Sequence, residues 1–169
     1  MQKNNFLRRT VFIVASLNLI YFFVEFIVAL NVRSVSLFAD SIDFIEDALV
    51  NLLIYFAISW SLIKRAKTSM ILSLIMLMPG IAAIWAVWEQ VINEQPPSAL
   101  EISVVGLGAL AVNCLCTLIL MKYRDYSGSL TKAAFLSARN DAVANVAVIF
   151  AGIITMAYPS IWPDIIIGL

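Results

Sequence analysis

Residues 34–51 of this 169-residue chain read SVSLFADSIDFIEDALVN, an apolar stretch that acids interrupt at regular intervals. Asp40, Asp43, Asp47 and Asn51 follow the spacing i, i+3, i+7 and i+11, which places them on one face of an α-helix. Most of the residues between them are apolar. The stretch therefore predicts a helix that turns one polar face toward other helices and an apolar face outward.

The composition of the whole chain indicates that the outward face meets a lipid bilayer. Hydrophobic residues make up 62% of the chain and charged residues only 13%, whereas soluble domains have about 45–50% and about 25%. Apolar stretches recur at the length of about 20 residues that a helix needs to cross a bilayer. The first starts near Val11, too late and too long for a cleaved signal peptide.

Hydropathy predicts an all-α integral membrane protein with five transmembrane helices in one domain that covers residues 1–169. The predicted helices span residues 11–32, 37–63, 70–92, 99–121 and 130–157, and a truncated sixth helix starts near residue 161. The basic residues cluster before helix 1, after helix 2, and between helices 4 and 5. Under the positive-inside rule, this asymmetry predicts a cytoplasmic N-terminus.

Two further helices carry a polar stripe like that of helix 2. In helix 1, Asn18, Tyr21 and Glu25 follow i, i+3 and i+7. In helix 5, Ser137, Asp141 and Asn145 follow i, i+4 and i+8, and Asn113 adds a polar point in helix 4. A bundle with these faces turned inward has an oxygen-rich interior between apolar walls.

Not every residue in these stripes needs a role in function. Asparagines in membrane helices often join helices by hydrogen bonds, and this interpretation stays open for Asn18, Asn51, Asn113 and Asn145. Asp40 lies near the end of helix 2, where it is either functional or an N-cap-like residue.

The two remaining glutamates of the stripes also have a structural alternative. Glu25 and Glu46 either take a direct part in function, pair with Arg33, or reach the membrane interface.

Asp43, Asp47 and Asp141 are the strongest candidates for a function. An acid at the bilayer centre costs at least about 2.5–3.5 kcal/mol, and two acids one helical turn apart repel each other unless a cation or a proton lies between them. Carboxylate oxygens suit hard or borderline divalent cations such as Mg²⁺, Ca²⁺ and Mn²⁺, while zinc and cobalt favour some nitrogen or sulfur.

Other classes of function fit poorly. The chain has no histidine, and we find no nucleophile–base pair and no phosphate-binding loop, so an enzyme is not expected. The net charge is zero and the basic residues lie in short clusters beside the predicted helices, so nucleic acid is not an expected partner.

The polar motifs resemble those of the cation diffusion facilitator, or cation efflux, family. Residues 34–47 resemble its helix 2 signature, in which Ala-Asp is followed by His or Asp and, four residues later, by Asp. Ser137-Ala-Arg-Asn-Asp141 resembles the helix 5 signature, and Trp162-Pro-Asp164 resembles the beginning of helix 6. The resemblance is closest to a compact branch that carries Arg-Asn-Asp in helix 5 and lacks the usual C-terminal cytoplasmic domain.

The resemblance implies a divalent-metal site formed by Asp43, Asp47, Ser137 and Asp141. It also implies export of cytoplasmic Zn, Mn, Fe, Co or Cd in exchange for protons, with the metal as cargo and not as a permanent cofactor. The implied partners are a second copy of the chain and the bilayer, which is expected to be a bacterial inner membrane.

One ligand departs from the family pattern, because Ser137 stands where His or Asp is usual. This change puts a zinc preference in question, and Asn140, Asn51 or water is left to complete the site. The alternative function is a non-transporting membrane protein, derived from this family, with a role in assembly or metal sensing.

Overall fold

The computed structural model describes residues 2–57, 60–61, 63–64, 67–68, 70–71, 77–124 and 129–169. These residues form six principal α-helices and no β-strand, which confirms the all-α fold class for the described part of the chain. The helices are α1 (Gln2–Val32), α2 (Val35–Ala57), α3 (Leu77–Asn93), α4 (Ala99–Met121), α5 (Ser129–Ala157) and α6 (Trp162–Gly168).

The predicted boundaries are right for α4 and wrong by one to several residues elsewhere. α1 begins at Gln2 and not at residue 11, because hydropathy marks only the apolar part of a helix whose first turns are polar. The described part of α2 covers Val35–Ala57, whereas the prediction extends this helix to residue 63; Trp60 is not helical, and its amide donates to the Ala57 carbonyl (3.0 Å). The predicted start of helix 3 falls partly on residues 72–76, outside the described residues.

Three helices in the described part of the chain are long and apolar enough to cross a membrane, namely Asn5–Val32, Ala99–Met121 and Thr131–Ala157. Large apolar side chains such as Phe23, Leu118 and Phe150 lie exposed on their outer faces. α2 has the same 23-residue length as α4, but it carries four acids. The outer surface thus suits lipid contact, while α2 is the polar member of the bundle.

The helices form two pairs that pack on each other. α1 packs along α2 and α4 packs along α5, and the pairs meet where α1 contacts α4 and α2 contacts α5. The connection between α1 and α2 is tight: Arg33 adopts a left-handed conformation with φ 55°, and the Ser34 amide donates to the Ala29 carbonyl (3.1 Å). α3 packs against α2, and α6 lies against both α2 and α5.

Two apolar clusters occupy opposite ends of this bundle, and the polar residues lie between them. The first cluster consists of Leu7, Val11, Val14, Ile54, Cys116, Leu120, Ala134 and Ala138. The second consists of Ala29, Leu37, Ile102 and Val148. Along α1, α2, α4 and α5, the residues between these positions include Asn18, Glu25, Asp40, Asp43, Asp47, Asn51, Asn113, Asp141 and Asn145. We call these nine residues the central polar layer.

A close contact between α1 and α4 depends on a glycine. The Tyr21 hydroxyl donates a 2.5 Å hydrogen bond to the Val105 carbonyl. A Cβ atom at Gly108 would collide with the Tyr21 hydroxyl oxygen and lie 3.1 Å from the ring carbon Cζ. Glycine at this position therefore leaves room for the Tyr21 ring and its hydroxyl group against α4.

We expect Gly108→Ala to lower the free energy of unfolding by about 1–3 kcal/mol, because the new methyl group overpacks this contact. Thermal unfolding of the purified protein in detergent measures the change. Gly80→Ala is the matched control, since a Cβ there meets no atom within 4 Å. Equal melting temperatures for the two variants would contradict the proposed packing.

Candidate functional site

Asp47 is the most deeply buried of the predicted ligands. Its side chain is only 1% exposed, and neither carboxyl oxygen has a hydrogen-bond partner among the described residues. The Ser137 side chain of α5 lies near this carboxyl group, although the two form no hydrogen bond of good geometry. An isolated carboxylate in an apolar interior is very costly, so this group needs a proton or a cation.

The other two predicted acids lie near Asp47. Asp141 on α5 is half-buried, and its strongest electrostatic interaction with another acid is with Asp47, followed by that with Asp43. Asp43 is also half-buried and interacts with Asp40, Glu46 and Asp47 on its own helix. All of these interactions are between like charges. The polar faces that the sequence predicts for helices 2 and 5 thus meet each other in the bundle.

A cavity of about 160 Å³ reaches Asp43 between α2, α5 and α6. Its polar wall consists of Ser36, Asp40 and Asp43, and Ile166 and Ile167 of α6 contribute to its apolar wall. Since one water molecule takes about 30 Å³ of liquid, the cavity has room for several waters or a partly hydrated ion. It connects the acidic face of α2 with the surface between the helices.

The acids are near each other but are not gathered around a single point. Among the described residues, no three Asp, Glu or Cys side chains lie close enough together to hold a metal ion. Coordination by Asp43, Asp47 and Asp141 together would therefore require side chains of α2 and α5 to move toward each other.

Asp40 differs from these acids because it has strong hydrogen-bond donors. The Asn145 Nδ2 atom of α5 lies 2.6 Å from each Asp40 carboxyl oxygen. The Asn113 Nδ2 atom of α4 in turn donates to Asn145 Oδ1 (3.3 Å). This chain of contacts joins α4, α5 and α2, so the interpretation of Asn113 and Asn145 as links between helices is confirmed.

Asp40 does not cap α2, so the N-cap interpretation is wrong. The helix begins at Val35, and its cap is Ser34, whose hydroxyl oxygen accepts a hydrogen bond from the Leu37 amide (3.2 Å).

Glu25 is completely buried and does not reach the membrane interface. It lies beside the Asp40 carboxyl group, and neither Glu25 carboxyl oxygen has a hydrogen bond of good geometry among the described residues. The predicted pairing with Arg33 is therefore wrong. Burial beside another acid implies that these two carboxyl groups share a proton or contact a cation.

Of the two asparagines that could replace the missing ligand, the structure favours Asn51. Its Nδ2 atom donates to the Asp47 carbonyl oxygen (2.8 Å), and its buried Oδ1 atom has no partner among the described residues. Asn140 is exposed, and its Oδ1 atom accepts a hydrogen bond from Arg139 (3.2 Å). An uncommitted amide oxygen thus lies one helical turn from Asp47, on the same face.

One buried acid was not among the predicted site residues. Asp164 of α6 is 0% exposed and binds the N-terminal end of α2. In the sequence, its signals are its position as a single acid between Trp162-Pro163 and three isoleucines, and the resemblance of Trp162-Pro-Asp164 to the beginning of helix 6.

The long apolar helices, which turn buried acids toward the inside of the bundle, define an integral membrane protein. A family model described as the cation efflux transmembrane domain matches residues 11–169. The chain therefore belongs to the cation efflux, or cation diffusion facilitator, family, as the motifs in helices 2 and 5 predicted. Members of this family are membrane-embedded transporters of metal cations and not enzymes. The chain matches no curated protein at a significant level.

We expect Asn145→Ala to destabilise the bundle by about 2–4 kcal/mol, because it leaves the buried Asp40 carboxyl group without donors. Asn140→Ala is the control, since that side chain is exposed and bonds only to the neighbouring Arg139. Thermal unfolding in detergent compares the two variants. A melting temperature of Asn145→Ala equal to that of the control would refute the stabilising role of Asn145.

Proposed function

We propose that this chain exports a divalent metal cation from the cytoplasm in exchange for protons. Asp43, Asp47 and Asp141 are the proposed charged ligands, and Ser137 is a weak neutral one. The observation that carries this proposal is the buried Asp47 carboxyl group, which lies near Asp141 and whose oxygens have no hydrogen-bond partner of good geometry among the described residues. In a family of cation transporters, a site between two helices that needs a positive charge is the best candidate for the ion path.

The basic residues support the proposed direction. Arg8, Arg9 and Lys64 lie at the end of the bundle where α1 begins, as do Lys122 and Arg124 after α4. We place this end in the cytoplasm, with five spanning helices in one transmembrane domain. A homodimer in a bacterial inner membrane completes the proposal.

The donor set supports a cation that accepts oxygen ligands. Three carboxylates, a hydroxyl and the Asn51 amide oxygen are all oxygen donors, which Mn²⁺ accepts readily. Fe²⁺, Co²⁺, Zn²⁺ and Cd²⁺ are the other candidate cargoes, and Zn²⁺ would bind here without the nitrogen ligand that it often has. No resident cofactor is proposed.

The exchange with protons follows from the chemistry of buried carboxylates. Only ionised carboxylates coordinate a metal well, so protons compete with the cation for the same oxygens. An acid enclosed by apolar residues is unfavourable when it is charged and alone. Release of the metal is therefore accompanied by uptake of protons, and an external supply of protons drives release.

We expect Asp47→Asn to reduce Mn²⁺ uptake into everted membrane vesicles by at least about tenfold, because it removes a charged ligand while preserving the shape of the side chain. Glu101→Gln is the matched control, since Glu101 is an exposed acid in the first turn of α4. A pH-sensitive dye in the vesicle lumen reports the proton movement that accompanies uptake.

Uptake by Asp47→Asn at the rate of Glu101→Gln would refute the site assignment. Uptake without a change in lumenal pH would refute the exchange with protons. If the purified unmodified protein binds neither Mn²⁺, Zn²⁺ nor Cd²⁺ at near-neutral pH, the result favours the non-transporting alternative.

A further inference from the structure

Asp164 accepts five hydrogen bonds, more than any other buried acid among the described residues. Its Oδ1 atom accepts from the Ser34 hydroxyl (2.6 Å), the Ser36 hydroxyl (2.5 Å) and the Ser36 amide (3.2 Å). Its Oδ2 atom accepts from the Val35 amide (2.7 Å) and from Gln90 Nε2 (2.9 Å). The side chain is 0% exposed, so its hydrogen-bonding capacity is met entirely by protein groups.

All five donors are uncharged, and two of them are the first amides of α2. The N-terminal end of a helix carries a partial positive charge and unpaired amides, both of which favour a carboxylate there. Asp164 therefore caps α2 from a distance of more than a hundred residues in the sequence, in addition to the local cap at Ser34. Because Gln90 belongs to α3, the same carboxylate joins α2, α3 and α6.

α6 also packs closely against the start of α2. A Cβ atom at Gly168 would lie 2.7 Å from the Val35 carbonyl carbon and 2.8 Å from the Ser36 amide nitrogen, so the two backbones are in contact there. Ile166 and Ile167 of α6 form part of the wall of the cavity that reaches Asp43. The contacts of Asp164 thus determine how α6 covers this cavity.

The acidic face of α2 begins only a short distance from this cap. At a rise of about 1.5 Å per residue, Asp43 lies roughly 12 Å along the helix from Val35. A helix is stiff over this length, so a tilt or rotation at its first turn also displaces the side chains of the site.

We propose that Asp164 is a positioning residue for the cation site: its carboxylate fixes the N-terminal end of α2 and the wall that α6 adds to the Asp43 cavity. This inference rests on the proposed function of Asp43, Asp47 and Asp141. Asp164 itself does not contact the cation. It sets the orientation of α2 relative to α5, and the acids on these two helices must come together to bind one ion.

The first experiment measures the affinity of the purified full chain for Mn²⁺ by isothermal titration calorimetry. We expect Asp164→Asn to raise the dissociation constant at least about fivefold, at the lower end of typical coupling between two sites. The side-chain amide of this variant brings its own NH₂ donor against the donors of α2 and Gln90, which need an acceptor. Ser36→Ala is a milder variant that removes one donor, and its expected increase is smaller.

The double variant Asp164→Asn/Ser36→Ala separates positioning from general destabilisation. If Ser36 acts through Asp164, the Ser36→Ala substitution has little further effect once Asp164 is changed. Glu101→Gln is the control, because Glu101 is an exposed acid near the start of a different helix. We expect this variant to leave the dissociation constant unchanged. A lower melting temperature with an unchanged dissociation constant in Asp164→Asn would overturn the proposal.

The second experiment does not depend on cation binding. Ala39 lines the cavity on α2, and Ala39→Cys in a Cys114→Ala/Cys116→Ser background can be labelled with a small maleimide. We expect labelling to be several times faster when Asp164→Asn is added, because α6 covers the cavity less tightly, and an unchanged rate would overturn the proposal. If the parent chain binds none of Mn²⁺, Zn²⁺ and Cd²⁺, the proposed function fails, while the labelling rate still decides the role of Asp164.

Discussion

The rest of the structure depends on the burial of carboxyl groups inside a bundle whose outer surface is apolar. Each such group must find hydrogen-bond donors, a proton or a cation, because the surrounding side chains and the lipid offer no substitute for water. Between two apolar clusters at the ends of the bundle, the central polar layer holds all of these acids except Asp164. The need for compensation therefore falls on a few residues of α1, α2, α5 and α6.

The acids divide into two groups according to how that need is met. Asp40 and Asp164 have donors within hydrogen-bonding distance from other helices, so protein groups compensate Asp164 fully and Asp40, which also lies beside Glu25, in part. Asp47 has none among the described residues, and the strongest interactions of Asp141 with other charged groups are with acids. The first group joins helices, whereas the second has no permanent partner and is free to bind a cation or a proton reversibly. This division is the physical basis for placing cation exchange between α2 and α5.

The sequence was sufficient for features that belong to a single helix. Hydropathy located α4 to the residue, where Pro96 and Pro97 mark its beginning, and the period of the polar stripes identified the faces that meet inside. It failed at the end of the second helix, because the apolar run continues past Trp60, which is not helical. The contacts of Asp164 with Val35, and of Asn145 with Asp40, join residues more than a hundred positions apart. Periodicity within one helix carries no information on such pairs.

The most direct test of the account is anomalous scattering from crystals of the full chain grown with Mn²⁺. We expect an anomalous peak in the central polar layer between α2 and α5, bounded by Asp43, Asp47 and Asp141, and no such peak in Asp47→Asn crystals grown in the same way. A peak confined to surface acids such as Glu89 or Glu94, with none between α2 and α5, would contradict it.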